Sequence, residues 1–592
     1  MSSRFVVGID LGTTNSAIAF ASAAAGVVQR LDVPQVVQAG TVEARPLLPS
    51  FLYLAAHGEL PPHALDLPWA QRDDFTVGEF ALRRGQEVPG HLVASAKSWL
   101  SHAGADRTAP ILPWGGSDDV AKLSPLEVSA HYLAHMRDAW NHVVAKGDDA
   151  LRLEAQEVYL TVPASFDPVA RELTARAAAQ VGLENLILLE EPQAAVYAWI
   201  DASAESWRRD IRAGDVVLVC DVGGGTTDFS LIAAREAAGE LVLERVAVGD
   251  HILLGGDNMD LALAHAVRAR LESAGTKLDA WQFRALALSC RAVKERMLSD
   301  SAEARLPVSI LGRGKKVVGG TLRVAIERGE VERSLLEGFF PPCEIAAKPQ
   351  APRRAGLQEI GLPYAPDAAI TRHLAHFLAR HREVARPTAV LFNGGVMQAA
   401  ALRQCVVDNL DRWYSGASVR VLPAHEPEFA VARGAAYYGL ARRGRGVRIR
   451  GGTARSFYVG IESAMPAVPG MRPLLKALCV LPQGVEEGGG AIELPAQEFG
   501  LVVGEPAEFR FLASTVRKDD AVGTVLESWS DDLDELPAVE TTLAWEGQEG
   551  TAVPVHLQAR VNEVGVLELW FVSRDGTHRW KLEFSTRSDE RA

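Results

Sequence analysis

Two segments of the chain place an aspartate, glycines and threonines directly after an apolar run. The aspartates are Asp10 and Asp221, about 210 residues apart. Glycine lets backbone N–H groups come close to a phosphate chain, and threonine hydroxyls add donors. A strand-end aspartate can hold Mg²⁺, usually through water, because this ion dehydrates reluctantly. The repeated pattern predicts two related halves that face each other across a phosphate-binding cleft; the alternative is two ordinary hairpins.

Two further segments carry residues that suit the same cleft. Asp257 follows two glycines and precedes a predicted helix over 258–270, whose N-terminus would favour an anion. A routine turn with a helix cap is the alternative there. Glu191 follows the apolar run 186–189 and could orient an attacking water, although it could also belong to a solvated acidic pair.

Composition limits the class of protein. The 592 residues are 48% hydrophobic and 23% charged, which is ordinary for a globular protein and suggests roughly three to four domain-sized units. A formal net charge of −14 disfavours a binder of nucleic-acid backbones. The 5 cysteines are scattered, which argues against a disulfide framework or a zinc site and favours a reducing compartment. No apolar run approaches the ~20 residues of a membrane helix, so we expect a cytoplasmic protein without a membrane partner.

Three regions differ in their patterns. Residues 1–440 alternate short apolar strands with amphipathic helices, which predicts an α/β domain that positions the two aspartate turns. Residues 441–455 contain 6 arginines and 4 glycines and are typical of a flexible basic linker. Residues 456–592 are dominated by strand patterns, and we expect an all-β sandwich there.

The C-terminal region alternates apolar and polar side chains. The alternation over 555–561 and 580–584 indicates half-buried antiparallel strands. The dipeptide Asp575-Gly576 between these runs is typical of a hairpin turn. The acidic stretch 531–549 is expected to be an exposed loop.

These motifs resemble those of the actin-like ATPase superfamily, which includes sugar kinases, DnaK-type chaperones and actin. The sequences of these motifs are most similar to those of the DnaK-type, or Hsp70, chaperones. The segments that carry the resemblance are 9–16, 191–195, 221–228, 254–257, 393–395 and 427–436. The likeness covers nearly all of 1–440 in order and is weaker across 456–586. It implies an actin-like α/β fold of two pseudo-repeated lobes, followed by a β-sandwich that binds polypeptide.

The resemblance also implies roles for individual residues. Lys97 matches the family's catalytic lysine, which would stabilise charge developing on the γ-phosphate. The implied catalytic residues are Lys97, Glu191, Asp221, Thr226 and Asp228. The implied metal ligands are Asp10 and Asp221. The implied nucleotide-binding residues are Gly12, Thr13, Thr14, Asn15, Gly223, Gly224, Gly225, Thr226, Gly255, Gly256, Asp257, Lys294, Gly394, Gly395, Gln398 and Glu428.

The adenosine end of the implied site departs from the family. Lys294 resembles a ribose contact, with Arg296 and Ser299 on the same helix if the register slips by one. Gln398 stands where the family usually has an arginine stacked on adenine. An amide lacks the cation–π attraction of roughly 0.5–2 kcal/mol that a guanidinium supplies. We therefore expect weaker nucleotide binding than in typical members.

Two other departures concern coupling between the domains. The family's linker is short and leucine-rich, whereas this one is basic and would need an acidic groove to dock in. The predicted last strand ends near Thr586, so we expect no helical lid and faster release of bound peptide.

The resulting hypothesis is an ATP-dependent molecular chaperone that binds unfolded or partly folded polypeptide and hydrolyses ATP slowly. The implied cofactors are ATP or ADP with Mg²⁺, and K⁺ is a further candidate ion. Co-chaperones or a nucleotide exchange factor are candidate partners, and nucleic acid is not. The alternatives are an actin-fold small-molecule kinase, an actin-like filament protein and a nucleotide-sensing scaffold without turnover.

Overall fold

A computed structural model describes most of the chain. The described residues are 3–102, 104–237, 240–299, 303–310, 322–351, 361–383, 386–414, 418–423, 426–444, 453, 455–463, 475–485, 490–494, 497–528, 532–536, 538–543, 545, 550–561 and 567–582.

Residues before 443 contain strands and helices in alternation, as the sequence pattern predicts. The strands are β1 (Phe5–Leu11), β2 (Asn15–Ser22), β3 (Val28–Leu31), β4 (Val33–Gln38), β5 (Thr41–Arg45), β6 (Leu48–Pro49), β7 (Leu52–Leu54), β8 (Phe75–Val77), β9 (Leu92–Val93), β10 (Glu157–Val162), β11 (Leu186–Glu190), β12 (Val216–Val222), β13 (Thr227–Ala237), β14 (Glu240–Val248), β15 (Arg305–Ile310), β16 (Leu322–Glu327), β17 (Ala389–Asn393) and β18 (Arg420–Val421). The helices are α1 (Glu79–Glu87), α2 (Ala96–Leu100), α3 (Pro125–Trp140), α4 (Pro168–Gln180), α5 (Glu191–Ser203), α6 (Trp207–Asp210), α7 (Gly256–Ser273), α8 (Ala280–Leu298), α9 (Arg328–Phe339), α10 (Ile370–Arg380), α11 (Ala400–Trp413) and α12 (Ala430–Arg442).

Two sheets repeat one topology. In the first lobe the strand order is β11-β10-β1-β2-β3, with β1 antiparallel to β2 and parallel to β10. In the second lobe the order is β14-β13-β12-β17-β18, with β12 antiparallel to β13 and parallel to β17. Each sheet therefore begins with a hairpin meander and continues with parallel strands. The predicted repeat of two related halves is confirmed by this shared strand order.

The aspartate turns occupy equivalent places in the two sheets. Asp10 lies near the end of β1, and the residues between β1 and β2 form the first turn. Asp221 lies near the end of β12, where its backbone pairs with Asp228 across the hairpin. Because β1 and β12 hold equivalent positions, both turns emerge at the same edge of their sheets.

Helices α5 and α12 pack together beside both sheets. A Cβ on Gly434 of α12 would collide with the backbone oxygen of Ala194 in α5. A Cβ on Gly8 of β1 would collide with the backbone oxygen of Ala432. Backbone contacts this close are possible only where glycine leaves room.

Local signals account for several helix ends. Asp167 accepts a hydrogen bond from the Ala170 N–H, so it is the N-cap of α4. Helix α3 begins with a capping box between Ser124 and Glu127. The helix predicted over 258–270 is α7, which is longer at both ends.

The C-terminal region contains two larger sheets that share one apolar core. Its strands are β19 (Ser456–Glu462), β20 (Leu475–Leu481), β21 (Ile492–Glu493), β22 (Phe499–Val503), β23 (Pro506–Phe509), β24 (Phe511–Ser514), β25 (Val525–Leu526), β26 (Asp534–Glu535), β27 (Val539–Thr542), β28 (Thr551–Val561), β29 (Leu567–Ser573) and β30 (Arg579–Leu582). One sheet has the order β25-β20-β19-β24-β26, and the other joins β21, β22, β28, β29 and β30. The core includes Leu478 and Val480 from the first sheet and Val555 and Leu557 from the second.

The alternation in this region is confirmed where the structure describes it. Along β28, Val555, Leu557, Ala559 and Val561 are buried. Gly576 has φ +70° in the turn between β29 and β30, which supports the predicted hairpin. The acidic stretch 531–549 differs from the loop prediction, because its described part contributes β26 and β27. Pairing with β24 and β23 overrides the turn-like composition.

Other predictions about organisation stay open. Residues 445–452 and 454 of the predicted linker, and residues 583–592 after the last described strand, lie outside the described residues. The boundaries 1–440, 441–455 and 456–592 therefore stay predictions. Lys518 Nζ of the C-terminal region donates a hydrogen bond to the Val246 carbonyl at 2.7 Å. Within the described residues, the helices are all too short or too polar to cross a membrane.

Candidate functional site

A cavity of about 260 Å³ lies where the two lobes meet. Most of the residues implicated by sequence line it. They are Asp10, Gly12, Thr13, Thr14, Asn15, Lys97, Glu191, Asp221, Gly223, Gly224, Thr226, Gly256, Asp257, Lys294, Gly394, Gly395, Gln398 and Glu428. Segments more than 400 residues apart in sequence, such as those of Asp10 and Glu428, therefore line one cavity, which requires the two lobes to face each other.

Three of the implicated residues lie just outside this lining. Gly225 faces the first turn, and a Cβ there would come within 2.7 Å of Thr13 Cγ2. Gly255 packs against the second turn, where a Cβ would lie 2.6 Å from the Gly223 oxygen. Asp228 is buried behind the cavity and accepts a hydrogen bond from Ser165 Oγ at 2.5 Å. The two glycines shape the turns, and Asp228 is buried without being among the residues that line the cavity.

The two glycine-threonine turns touch each other. A Cβ on Gly224 would collide with the Thr14 hydroxyl, so only glycine fits at that position. The Thr14 Oγ1 atom is buried and has no hydrogen-bond partner among the described residues. A buried hydroxyl without a partner is costly, and a phosphate oxygen in the cavity would supply one. These turns therefore fit a phosphate chain.

Lys97 is the cation at the centre of the carboxylates. Its Nζ donates a hydrogen bond to Glu191 Oε1, and both side chains are largely buried. Burial alone would lower the pKa of Lys97, but the charges of Glu191 and Asp10 outweigh it, so this pKa is raised. Lys97 therefore keeps its positive charge in the cavity.

Burial disfavours the charged forms of the two strand-end aspartates. Burial, with a smaller contribution from Glu191, raises the pKa of Asp10 to about 7, although Lys97 opposes the shift. Burial and then Glu191 raise the pKa of Asp221 to about 8, against a hydrogen bond of 2.7 Å from Asn393 Nδ2. A divalent cation at these oxygens would favour their charged forms.

The ligand set suits magnesium better than a metal held only by protein. No group of three or more His, Cys, Asp or Glu side chains within the described ranges is arranged to bind an ion. Magnesium commonly uses one or two carboxylates and completes its shell with water and phosphate oxygens. Asp10 and Asp221 fit that role.

The Lys97 helix is tied to the opposite lobe. Ser95, which precedes α2, has φ +55°, a left-handed conformation that is uncommon for serine. Its Oγ donates to Asp257 Oδ2 at 2.9 Å, at the start of α7. Such backbone strain persists where the surroundings hold it, and here the contact joins the two walls of the cavity.

Sequence reasoning missed a charged cluster on the second lobe. Arg291 on α8 donates to Asp260 Oδ2 at 2.8 Å and also to Asp257 Oδ1. Lys294 Nζ lies 2.7 Å from Asp260 Oδ1 and donates to the Gly256 carbonyl at 2.9 Å. The sequence does contain a signal for this cluster. Asp257 and Asp260 are three residues apart on α7, and Arg291 and Lys294 are three residues apart on α8, so each pair lies on one face of its helix.

The residues predicted for the adenosine end do not all line the cavity. Gln398 Nε2 donates to Glu428 Oε1 at 2.8 Å, and both residues line the cavity. Ser299 also lines it, whereas Arg296 is 60% exposed and pairs with Glu303 away from the lining. Gly394 has φ +84°, and a Cβ there would collide with the Val222 oxygen. The ribose role of Lys294 stays a prediction, since its described partners are protein atoms.

Comparison with known proteins agrees with this geometry. Residues 113–358 match the model of the family described as Hsp70 protein. The chain is 32% identical over 330 residues to the chaperone protein HscA homolog of Bordetella pertussis, covering 54% of this chain and 45% of the relative. It is 33% identical over 271 residues to the chaperone protein HscA of Salmonella agona, covering 45% of this chain and 38% of the relative.

These matches confirm the resemblance to Hsp70 chaperones. The chain spans about half the length, or less, of the curated relatives it matches. The Hsp70 match implies an actin-like ATPase fold, and the two lobes with one repeated strand order agree with it.

Proposed function

From the resemblance to Hsp70 chaperones and the geometry of the cavity, we propose that this protein is an ATP-dependent molecular chaperone. It hydrolyses ATP slowly to ADP and phosphate between its lobes and binds unfolded or partly folded polypeptide through a C-terminal β-sandwich. One observation carries the ATPase part. Lys97 and Glu191 form a buried pair among the strand-end aspartates, in the cavity that also contains the partnerless Thr14 hydroxyl.

The phosphate end of the cavity supplies positioning and charge. The backbone N–H groups of the two turns, with the Thr13 and Thr14 hydroxyls, bind the β- and γ-phosphates. Asp10 and Asp221 hold Mg²⁺ and its waters, and the ion neutralises phosphate charge when bound. Lys97 stabilises the charge that develops on the γ-phosphate, and this stabilisation is strong because the site is buried.

Three polar side chains position the cleft for in-line attack in this proposal. Glu191 is the carboxylate nearest Lys97, so it can accept a hydrogen bond from water while the lysine faces the phosphate. Thr226 lines the cavity on the second turn. Asp228 influences the charge of Lys97 and Asp221 from behind the lining. Positioning of this kind is the main source of rate enhancement in phosphoryl transfer.

The adenosine pocket completes the nucleotide site. Gly394 and Gly395 let the backbone approach the nucleotide, and a Cβ on Gly395 would meet open space. Lys294, Gln398 and Glu428 face the same cavity and contact the nucleoside in this proposal. Because Gln398 is an amide, the pocket lacks a stacked guanidinium on that side.

The chaperone part rests on the C-terminal sheets and on the relatives' names. Two sheets around one core form the proposed β-sandwich. The relatives named HscA are chaperone proteins, and we extend that activity to this chain. Co-chaperones or a nucleotide exchange factor, a cytoplasmic location and a K⁺ requirement belong to the same proposal.

A pair of matched variants tests the ATPase function. Lys97→Ala should reduce ATP hydrolysis by a hundredfold or more, on the order of the losses seen when one buried charge-stabilising group is removed. Lys277→Ala removes an exposed lysine far from the lining and is the control. ATP binding by the unaltered protein without any turnover would instead favour the nucleotide-sensing scaffold.

The chaperone function has a separate test. The protein should suppress aggregation of a chemically unfolded model protein, and ATP should change its affinity for a fluorescent unfolded peptide. Equal peptide affinity with ATP and ADP would exclude coupling between the two regions. Phosphorylation of a sugar, or sedimentation that depends on ATP, would favour the kinase or the filament.

A further inference from the structure

A chain of hydrogen bonds runs behind the cavity from Asp228 to the helix that carries Lys97. Ser165 Oγ lies 2.5 Å from Asp228 Oδ1 and 2.7 Å from His251 Nδ1. His251 Nε2 lies 3.2 Å from Ser101 Oγ, directly after α2. We propose that His251 and Ser165 are positioning residues that fix the Asp228 carboxylate for ATP hydrolysis. This inference rests on the proposed ATPase function.

The hydrogen-bond directions follow from counting protons. An ionised carboxylate only accepts, so the single hydroxyl proton of Ser165 is donated to Asp228. Ser165 Oγ can then be bonded to His251 only by accepting, so the donor is His251 Nδ1–H. In the neutral ring Nε2 is then an acceptor, and it shares the single Ser101 hydroxyl proton with the Ser98 carbonyl, which lies 2.9 Å from Ser101 Oγ. The imidazole is thereby held in one orientation, and Asp228 is held through the serine. Removing the Nδ1–H donor frees the Ser165 hydroxyl to turn away.

Burial makes this arrangement well defined. Asp228 is 7% exposed and Ser165 is 5% exposed. The His251 side chain is 16% exposed. Water competes poorly for hydrogen bonds at such sites, and each lost partner leaves a buried polar group unsatisfied. The carboxylate therefore has one preferred direction, which a solvated aspartate would not have.

The chain of bonds also joins the two lobes. Asp228 and His251 belong to the second lobe, on β13 and between β14 and α7. Ser165 and Ser101 belong to the first lobe, after β10 and after α2. A change in the relative position of the lobes would lengthen these bonds. The orientation of the Asp228 carboxylate is thus linked to the relative position of the two lobes through these hydrogen bonds.

His251 also lines a second cavity of about 280 Å³. The other ionisable groups that line this cavity are Asp250, His373, His376, Arg380 and His381. Thr515 from the C-terminal region lines the same cavity. His251 therefore bonds the two serines and also borders this second cavity.

Two substitutions at His251 separate positioning from packing. An Asn side chain can place an amide N–H near the Nδ1 position, whereas the longer Gln places its amide near Nε2. We expect His251→Gln to reduce the single-turnover rate of ATP hydrolysis about tenfold, while the ADP dissociation constant changes less than about twofold. His251→Asn should retain the rate within about threefold of the unaltered protein. Ser165→Ala should match the Gln variant, and Ser165→Thr should retain most of the rate.

A spectroscopic measurement tests the same contact without turnover. In protein with ¹⁵N-labelled histidine, the His251 signal is identified by its absence from His251→Asn. It should report a protonated Nδ1, and Ser165→Ala should shift it. A His251 that carries its proton only on Nε2 would overturn the assignment.

The outcomes distinguish this inference from the function on which it rests. If the unaltered protein hydrolyses ATP, Lys97→Ala does not, and His251→Gln is unchanged, the positioning role is wrong and the ATPase stands. If both His251 variants lose nucleotide binding and stability together, the histidine is structural only, which also overturns the role. If the unaltered protein shows no turnover, the ATPase proposal and this inference both fall.

Discussion

Arg291 and Asp260 form a buried ion pair in which Arg291 Nε donates to Asp260 Oδ2 at 2.8 Å. The same guanidinium also bonds Asp257 at the start of α7. Arg291 therefore neutralises two carboxylates that line the cavity, one of which is tied to the Lys97 helix through Ser95.

Replacement of this arginine should strongly destabilise the second lobe. Arg291→Met leaves Asp257 buried without its main cation and leaves Asp260 with Lys294 alone, which costs roughly 3–5 kcal/mol of unfolding free energy. Urea unfolding, monitored by circular dichroism, measures the loss. Arg323→Met changes an exposed arginine on β16 and should alter stability by less than about 0.5 kcal/mol. Equal stability of the two variants would contradict the importance of the pair.

The adenosine end offers a substitution that should gain affinity. Gln398 already donates a hydrogen bond to Glu428, so Gln398→Arg can retain an ionic partner while its guanidinium faces the cavity. A cation–π contact with adenine of roughly 0.5–2 kcal/mol corresponds to about a 2- to 30-fold tighter ADP dissociation constant. Isothermal titration calorimetry measures this dissociation constant.

Gln404→Arg is the matched control for that substitution, because Gln404 lies on the exposed side of α11 and pairs with Asp408. The control should leave ADP affinity unchanged. Weaker ADP binding by Gln398→Arg would show that the side chain does not face the base.

The contact between α5 and α12 predicts a strong effect from a single methyl group. In Gly434→Ala, the new Cβ would collide with the backbone oxygen of Ala194, which cannot turn aside like a side chain. Overpacking of this kind costs about 1–3 kcal/mol or more. Thermal unfolding should show a lower Tm.

Gly338→Ala on α9 is the matched helix control. A Cβ at Gly338 would meet no atom within 4 Å. Alanine there should be neutral or stabilise the protein by up to about 1 kcal/mol, because glycine weakens helices. A loss of stability in both variants would mean that the effect is not one of close packing.

The Asp367 carboxylate predicts a pH dependence of stability. Burial alone would raise its pKa, but hydrogen bonds from Arg372 and from the Ala369 N–H lower it to about 2. A carboxylate whose pKa is lowered on folding stabilises the fold at pH values above its unfolded-state pKa. This stabilisation is lost as the pH falls through the folded-state pKa. Asp367→Asn should therefore cost about 1 kcal/mol near neutral pH, after allowance for the partly exposed Arg372.

The stability difference between the unaltered protein and Asp367→Asn should shrink as the pH falls from about 4 towards about 2. Urea titrations across that range measure it. Asp408→Asn, on the exposed side of α11, should show a much smaller difference at every pH. A difference for Asp367→Asn that stays constant with pH would rule out an electrostatic origin.

Much of the cavity lining could be predicted because its signals are local. Each turn in the first and second lobes follows its own strand, and the types of residue in the turn are dictated by backbone space within a few positions. The repeated placement of Asp10 and Asp221 was sufficient to predict two facing halves, and the shared strand order agrees. Capping by Asp167 was equally local.

Contacts between distant segments could not be predicted in this way. Ser165 and His251 are 86 positions apart, and neither belongs to a motif that indicates the other. The pairing of Arg291 with Asp257 spans 34 positions between two helices. Short strands within 531–549 form because partners elsewhere in the chain supply their hydrogen bonds.

The amino-acid sequence by itself determined the chemistry of the turns, the alternation of the strands and the two-lobed plan. Those features depend on φ/ψ preferences and on side-chain periodicity over a few residues. Only the tertiary structure decided which buried charges face one another and that Asp228 is held from behind by Ser165. Those contacts arise when packing brings remote segments to within hydrogen-bond distance, and no short stretch of sequence encodes that distance.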